Sequence, residues 1–152
     1  MKLQAWRIVK AKHAATAFSG EGARLYGGRW NSPGISLVYT SSTQALAALE
    51  SLVHLNPPVI FTYAAIPLEF DSTLVEKVTA TALPPGWAHS PAPPTTRALG
   101  DLWAREARTA VLELPSAIIP GESNFLLNPA HPGFKKIAIG KPVPFSFDPR
   151  LL

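Results

Sequence analysis

Cysteine is absent from all 152 residues. That excludes disulfide staples, thiolate metal sites and a cysteine nucleophile, and it fits a cytoplasmic location. Charge is sparse, at 16% Asp, Glu, Lys and Arg, against 47% hydrophobic residues. The balance excludes a disordered regulator and supplies enough apolar surface for one core, so a single domain over residues 1–152 is expected. No uncharged apolar run reaches the ~18 residues of a membrane span. Arg7, Lys10 and Lys12 break up the N-terminal segment, which therefore does not read as a signal peptide. Paired histidine spacing is also missing: His13, His54, His89 and His131 lie far apart, and no metal is expected. The net charge of +4 suits an anionic ligand or an acidic partner. Only Lys135 and Lys136 among the basic residues are adjacent, so there is no basic stripe, and direct nucleic-acid binding is not expected.

Proline, by contrast, is abundant at 16 residues. Its cluster at Leu83–Pro94 predicts an extended surface loop, because proline fixes φ and removes a donor. Val59–Ile66, Ala110–Leu114 and Lys136–Ile139 read as strands, with weaker signals at Leu3–Val9 and Leu37–Tyr39. One helix is expected from Thr43 to His54, with Ser41 and Gln44 at capping-box spacing and a Leu46/Leu49/Val53 stripe. A second is expected from Arg97 to Arg108, capped by Thr95 or Thr96, with a Leu99/Leu102/Trp103 stripe. The pattern is α+β.

Four segments carry residues with chemical potential. In Tyr26-Gly27-Gly28-Arg29-Trp30-Asn31, the glycines permit close backbone approach and Arg29 offers a fork matched to phosphate or carboxylate. Tyr26 and Trp30 add flat faces. Taken alone, a structural turn with Trp30 in the core explains this segment better. Glu50 lies at the edge of its helix stripe, where partial desolvation is expected, although edge glutamates are common on helices. His54 reads as a helix-end residue. Ser116 follows a strand end and reaches a crevice or caps a loop. Asn124 and Asn128 bind a ligand or cap turns, the latter reading being stronger for Asn128 before proline.

Together these pieces resemble the RES domain family. The matching residues are Gly27-Gly28-Arg29-Trp30-Asn31, Tyr39-Thr40-Ser41, Ala47-Ala48-Leu49-Glu50, Pro115-Ser116-Ala117 and Glu122 to Pro132. The resemblance implies a bacterial toxin of a type II toxin–antitoxin pair that degrades NAD+. It implies an ADP-ribosyltransferase-like fold, with two small, mostly antiparallel sheets around a cleft and flanking helices. Arg29, Glu50, Ser116 and Tyr39 are the implied catalytic residues, with Tyr26, Gly28, Trp30, Asn31 and Asn124 around the substrate. NAD+ is then the substrate, and no cofactor is expected. The implied partner is an Xre-like antitoxin covering the active site, and there is room for a homodimer within that complex.

One carboxylate suits this chemistry. Nicotinamide leaves as a neutral pyridine and needs no general acid, whereas ordinary glycoside cleavage needs two carboxyl groups. Glu50 would stabilise the cation developing on the ribose. The acceptor, water or inorganic phosphate, stays open. So do two rivals: an ADP-ribosyltransferase acting on a protein, and a non-enzymatic binding module whose basic charge serves docking.

Overall fold

The computed structural model describes residues 1–54 and 62–151. In chain order the elements are β1 (Lys2–Lys10), α1 (Glu21–Tyr26), β2 (Val38–Ser41), α2 (Gln44–Leu52), β3 (Tyr63–Asp71), β4 (Val75–Lys77), α3 (Pro94–Glu106), β5 (Val111–Pro115), β6 (Ser123–Leu127), β7 (Ala138–Ile139) and β8 (Val143–Phe145). Short 3-10 turns fill several connections.

The strands follow the order β4-β5-β6-β2-β1-β3-β7, with β8 also on β3. All pairs are antiparallel except β4 with β5. Two strand groups are recognisable, β4-β5-β6-β2 and β1-β3-β7-β8. They join where Trp6 of β1 lies opposite Ser41 of β2. The α+β expectation therefore holds, but in place of two small sheets the strands form one continuous, mostly antiparallel sheet.

Strand register sorts the side chains into two layers, because alternate residues face opposite sides. One face carries Ala5, Val38, Leu68, Phe70, Val111, Phe125 and Leu127, covered by Phe18, Leu74 and Phe134. The other face carries both long helices. Ala47 of α2 packs with Ile8, Tyr63 and Ala65. Trp103 of α3 packs with Leu112, Leu114 and Leu126. Trp103 is fully buried, and its indole N–H donates to Thr109 Oγ1 at 3.0 Å, so this large residue is buried with its polar atom satisfied.

Several expected boundaries shift. Residues 59–61 of the Val59–Ile66 strand lie outside the described residues. The strand begins at Tyr63 and runs on to Asp71 through Pro67. Proline is tolerated there because it falls between the β8 pairing, which ends at Ala65, and the β7 pairing, which starts at Leu68. The Pro67 carbonyl accepts from Gly140 N at 2.8 Å, so its missing N–H faces that gap and costs no ladder bond. The weak Leu3–Val9 signal becomes a nine-residue strand, since β3 offers it a full-length partner. Lys136–Ile139 shrinks to Ala138–Ile139, because a 3-10 turn from Pro132 consumes Lys136.

The helices are also corrected. The N-cap of α2 is Thr43, whose side chain accepts from Leu46 N at 3.0 Å; Ser41 instead ends β2. Leu46 and Ala47 form the buried edge of α2, and Val53 is exposed beyond its end. α3 starts at Pro94, earlier than Arg97, because proline suits the first helical turn. Its buried residues are Thr96, Gly100, Asp101 and Trp103, while Leu102 is exposed.

Candidate functional site

α2 and the ends of β2, β5 and β6 bring four side chains together on the helix-covered face. Ser41 of β2 and Asn124 of β6 are direct cross-strand partners. Ser41 Oγ donates to Asn124 Oδ1 at 2.7 Å. Asn124 Nδ2 donates to Glu50 Oε1 at 2.9 Å. Ser116 Oγ donates to the same Oε1 at 2.7 Å. Both donors act on one oxygen of Glu50, so the arrangement is built for a carboxylate acceptor. Among the described residues, Oε2 meets no donor. Glu50 itself is half-buried on the inner side of α2.

Ser116 is fixed from both sides. Its Oγ accepts from Ile118 N at 3.2 Å and Ile119 N at 3.1 Å, and its proton goes to Glu50. A hydroxyl has one proton and two lone pairs, so all are engaged. The side chain is 4% exposed. Ser116 therefore holds Glu50 and is not poised as a nucleophile.

Tyr39 lies two residues before Ser41 on the same face of β2, roughly 7 Å along the strand. Its hydroxyl donates to Asn31 Oδ1 at 2.6 Å and accepts from Trp30 N at 3.1 Å. Burial pushes its phenol ionisation well upward; the Trp30 N–H opposes this, nearby Asp101 adds to it, and Arg29 opposes it. Arg29 and Asp101 are thus within electrostatic reach of Tyr39. Gly28 is required here because a Cβ would sit 2.6 Å from the Tyr39 hydroxyl. Gly27 ends α1 at φ 72°, in the left-handed region that glycine adopts freely.

Arg29 Nη1 donates to Trp87 O at 2.9 Å and His89 O at 2.7 Å, tying the proline-rich loop to this segment. Among the described residues its Nε and Nη2 meet no acceptor, so a fork of donors stays available to an anion.

Other expected positions separate from the cluster. Trp30 is 3% exposed, and its ring lies 6.4 Å from Trp87 at 30°, inside the core. It packs rather than offering a face to a ligand. Asn31 is fully buried: its Nδ2 serves Ala23 O, Ser32 O and Ile35 O, and its Oδ1 takes the Tyr39 proton. Both polar atoms of its side chain are thus engaged within the fold. Tyr26 is 83% exposed at the end of α1. His54 lies exposed just past the end of α2. Asn128 caps a turn through Ala130 N, and His131 caps the following 3-10 turn through Gly133 N. Among the described residues, no group of three His, Cys, Asp or Glu could hold a metal.

Two contributors were not legible as such. Ser41 read as a helix cap, although period-two spacing from Tyr39 puts it on the same strand face. Asp101, buried on α3, accepts from Ser32 N at 2.8 Å and anchors the Arg29 segment; only tertiary contact reveals it. A cavity of about 630 Å³ lies elsewhere, lined largely by apolar residues such as Phe18, Ile66, Ile139 and Pro142. It contains no titratable side chain, so the polar network is the better candidate for chemistry.

Known proteins share this architecture. The RES domain family model matches residues 4–148. A protein of Sphingobium sp. (strain YBL2), "Prs ADP-ribosylating toxin", is 40% identical over 97% of this chain and 95% of its own length. "Toxin Res" of Yersinia enterocolitica is 35% identical over 96% of this chain and 97% of its own. A chain in the crystal structure of the M. tuberculosis MbcT–MbcA toxin–antitoxin complex shares the fold, with a TM-score of 0.73, 19% identity, and coverage of 96% of this chain and 85% of that one. No helix among the described residues is long and apolar enough to cross a membrane. With the family model spanning almost the whole sequence and relatives matching it nearly end to end, this chain belongs to the RES domain family.

Proposed function

We propose that the chain is the toxin of a bacterial type II toxin–antitoxin pair and that it cleaves NAD+ at the nicotinamide–ribose bond in the cytoplasm. The observation that carries this reading is the state of Glu50: Oε1 is clamped by Ser116 and Asn124, and Oε2 is left open. The names of the Yersinia and Sphingobium relatives support the toxin part. The fold shared with a chain of the MbcT–MbcA toxin–antitoxin complex supports an antitoxin partner, here of Xre type and placed over the site.

In this reading the bond between ribose C1′ and nicotinamide N1 breaks, and its electron pair neutralises the pyridinium nitrogen. The oxocarbenium charge on the ribose faces Glu50 Oε2. Water or inorganic phosphate then bonds to C1′; for water, the surplus proton leaves through Oε2 to solvent. Arg29 holds the pyrophosphate through its unused donors. Tyr39 lines the nicotinamide side, with Tyr26 at the rim. Ser116 acts by fixing Glu50. No cofactor takes part.

A second reading is favoured by one name, that of the ADP-ribosylating relative. There the same cation is captured by a protein side chain. Mass spectrometry after incubation with NAD+ separates the acceptors: free ADP-ribose, its 1″-phosphate, or a protein carrying the ADP-ribosyl mass. Glu50→Gln should keep its fold by circular dichroism and lose ~10²–10³ in kcat for nicotinamide release, the usual cost of removing a transition-state charge stabiliser. A folded Glu50→Gln protein with the wild-type rate would remove Glu50 from the mechanism.

A further inference from the structure

We infer that Ser41 is a positioning residue, which braces the Asn124 amide in the direction that donates to Glu50 and so holds the orientation of Glu50. This rests on the reading that Glu50 is the group that acts on the substrate.

Glu50 Oε1 needs donors. Asn124 has one donating end and one accepting end, and either could face Glu50. With Nδ2 toward Glu50 the contact is a hydrogen bond of 2.9 Å. With the amide reversed, a carbonyl oxygen would face a carboxylate oxygen at that distance, and the two would repel. The carboxylate, which only accepts, selects the first, and Ser41 braces it. Its hydroxyl, able to donate or accept, here donates to Asn124 Oδ1 at 2.7 Å and holds the amide from its other end. Ser41 is 3% exposed, so water does not readily take over this role.

The geometry is also well constrained. Ser41 and Asn124 are paired in the β2–β6 register, and neighbouring Thr40 bonds across the same ladder to Phe125 O at 2.9 Å. Ser41 has no helix-capping duty, since Thr43 performs it. Its side-chain proton goes to Asn124, not to Glu50. Its influence on chemistry therefore passes through Asn124.

The test uses the full chain and has two arms. In the kinetic arm, Ser41→Ala should lower kcat for nicotinamide release about tenfold, the size of one lost hydrogen bond, with KM for NAD+ changed less than about twofold. Ser41→Thr, which keeps the hydroxyl, should recover most of the rate. In an Asn124→Ala background, adding Ser41→Ala should cost nothing further, because the relay is already cut. In the structural arm, NMR follows solvent exchange of the Asn124 side-chain amide protons at fixed pH. Ser41→Ala should speed that exchange about tenfold, and Glu50→Ala should do the same, since each releases the amide. A KM effect in place of a kcat effect, an additive double mutant, or unaltered amide exchange in Ser41→Ala overturns the inference. If the wild-type chain releases no nicotinamide, the NAD+ reading falls, and the exchange arm still decides whether Ser41 orients Asn124.

Discussion

Tyr39 shows how much one phenol can organise. It joins Asn31 to the Trp30 backbone and gains electrostatic contact with Arg29 and Asp101. Tyr39→Phe leaves a buried Asn31 oxygen and a Trp30 N–H without partners, so a loss of about 1–3 kcal/mol in urea unfolding is expected. The pH dependence has a definite sign. Tyrosine in the unfolded chain ionises near pH 10, whereas burial keeps native Tyr39 protonated above that. The native state then binds more protons, so the stability that Tyr39 confers is complete below pH 10 and fades as pH rises beyond it. The wild-type advantage over Tyr39→Phe should therefore narrow above about pH 10. A widening gap would contradict the upward shift. Arg7 works in the opposite sense: burial lowers it to about 10, so from there up to its ordinary value the unfolded chain holds the extra proton and native stability gains as pH rises. Arg7 also donates to Tyr39 O at 2.9 Å and Ala17 O at 2.7 Å, pinning the strand from the face opposite the site.

At the level of elements, two helical glycines make contrasting predictions. A Cβ at Gly100 of α3 would lie 1.7 Å from Trp30 O, a backbone atom that cannot give way. Gly100→Ala should cost more than about 3 kcal/mol or prevent folding, by overpacking. A Cβ at Gly22 of α1 meets nothing within 4 Å, and Gly22→Ala should be neutral or stabilise by about 0.4–1 kcal/mol. Paired thermal melts read both. Arg29 ties a different element, the loop between Leu83 and Pro94, through Trp87 O and His89 O. Arg29→Ala should therefore raise hydrogen exchange at residues 86–90 as well as weaken NAD+ binding. Exchange unchanged in that loop would show the tie to be dispensable. Helix existence was readable from apolar spacing, but the caps were not. Thr43 and Ser41 are both good capping types, and only the end of β2 at Ser41 separates them.

Across the whole molecule, the two strand groups meet at Trp6 and Ser41 and share one helix-covered face. The polar network crosses that junction, since Ser41 and Asn124 belong to one group while α2 packs on β1 of the other. Unfolding should accordingly be a single transition, coincident by fluorescence and circular dichroism. Two separated transitions would show the groups to be independent. Chelator should leave nicotinamide release unchanged, because among the described residues no metal-binding cluster exists. Loss of activity on treatment with EDTA, restored by metal, would overturn that expectation.

The sequence by itself determined the α+β class, the lack of thiol chemistry, and the family, because these depend on composition, periodicity and ordered motifs. It also pointed to Glu50, Ser116 and Asn124, the latter two lying 66 and 74 positions from Glu50 along the chain and meeting it only through strand pairing. Only the tertiary structure decided how each is held. It placed both donors on one Glu50 oxygen, spent both Ser116 lone pairs on backbone N–H groups, and buried Trp30 and Asn31 as packing. Hydrogen-bond direction is a property of three-dimensional neighbours, each with a fixed number of protons and lone pairs, and no local sequence pattern encodes it.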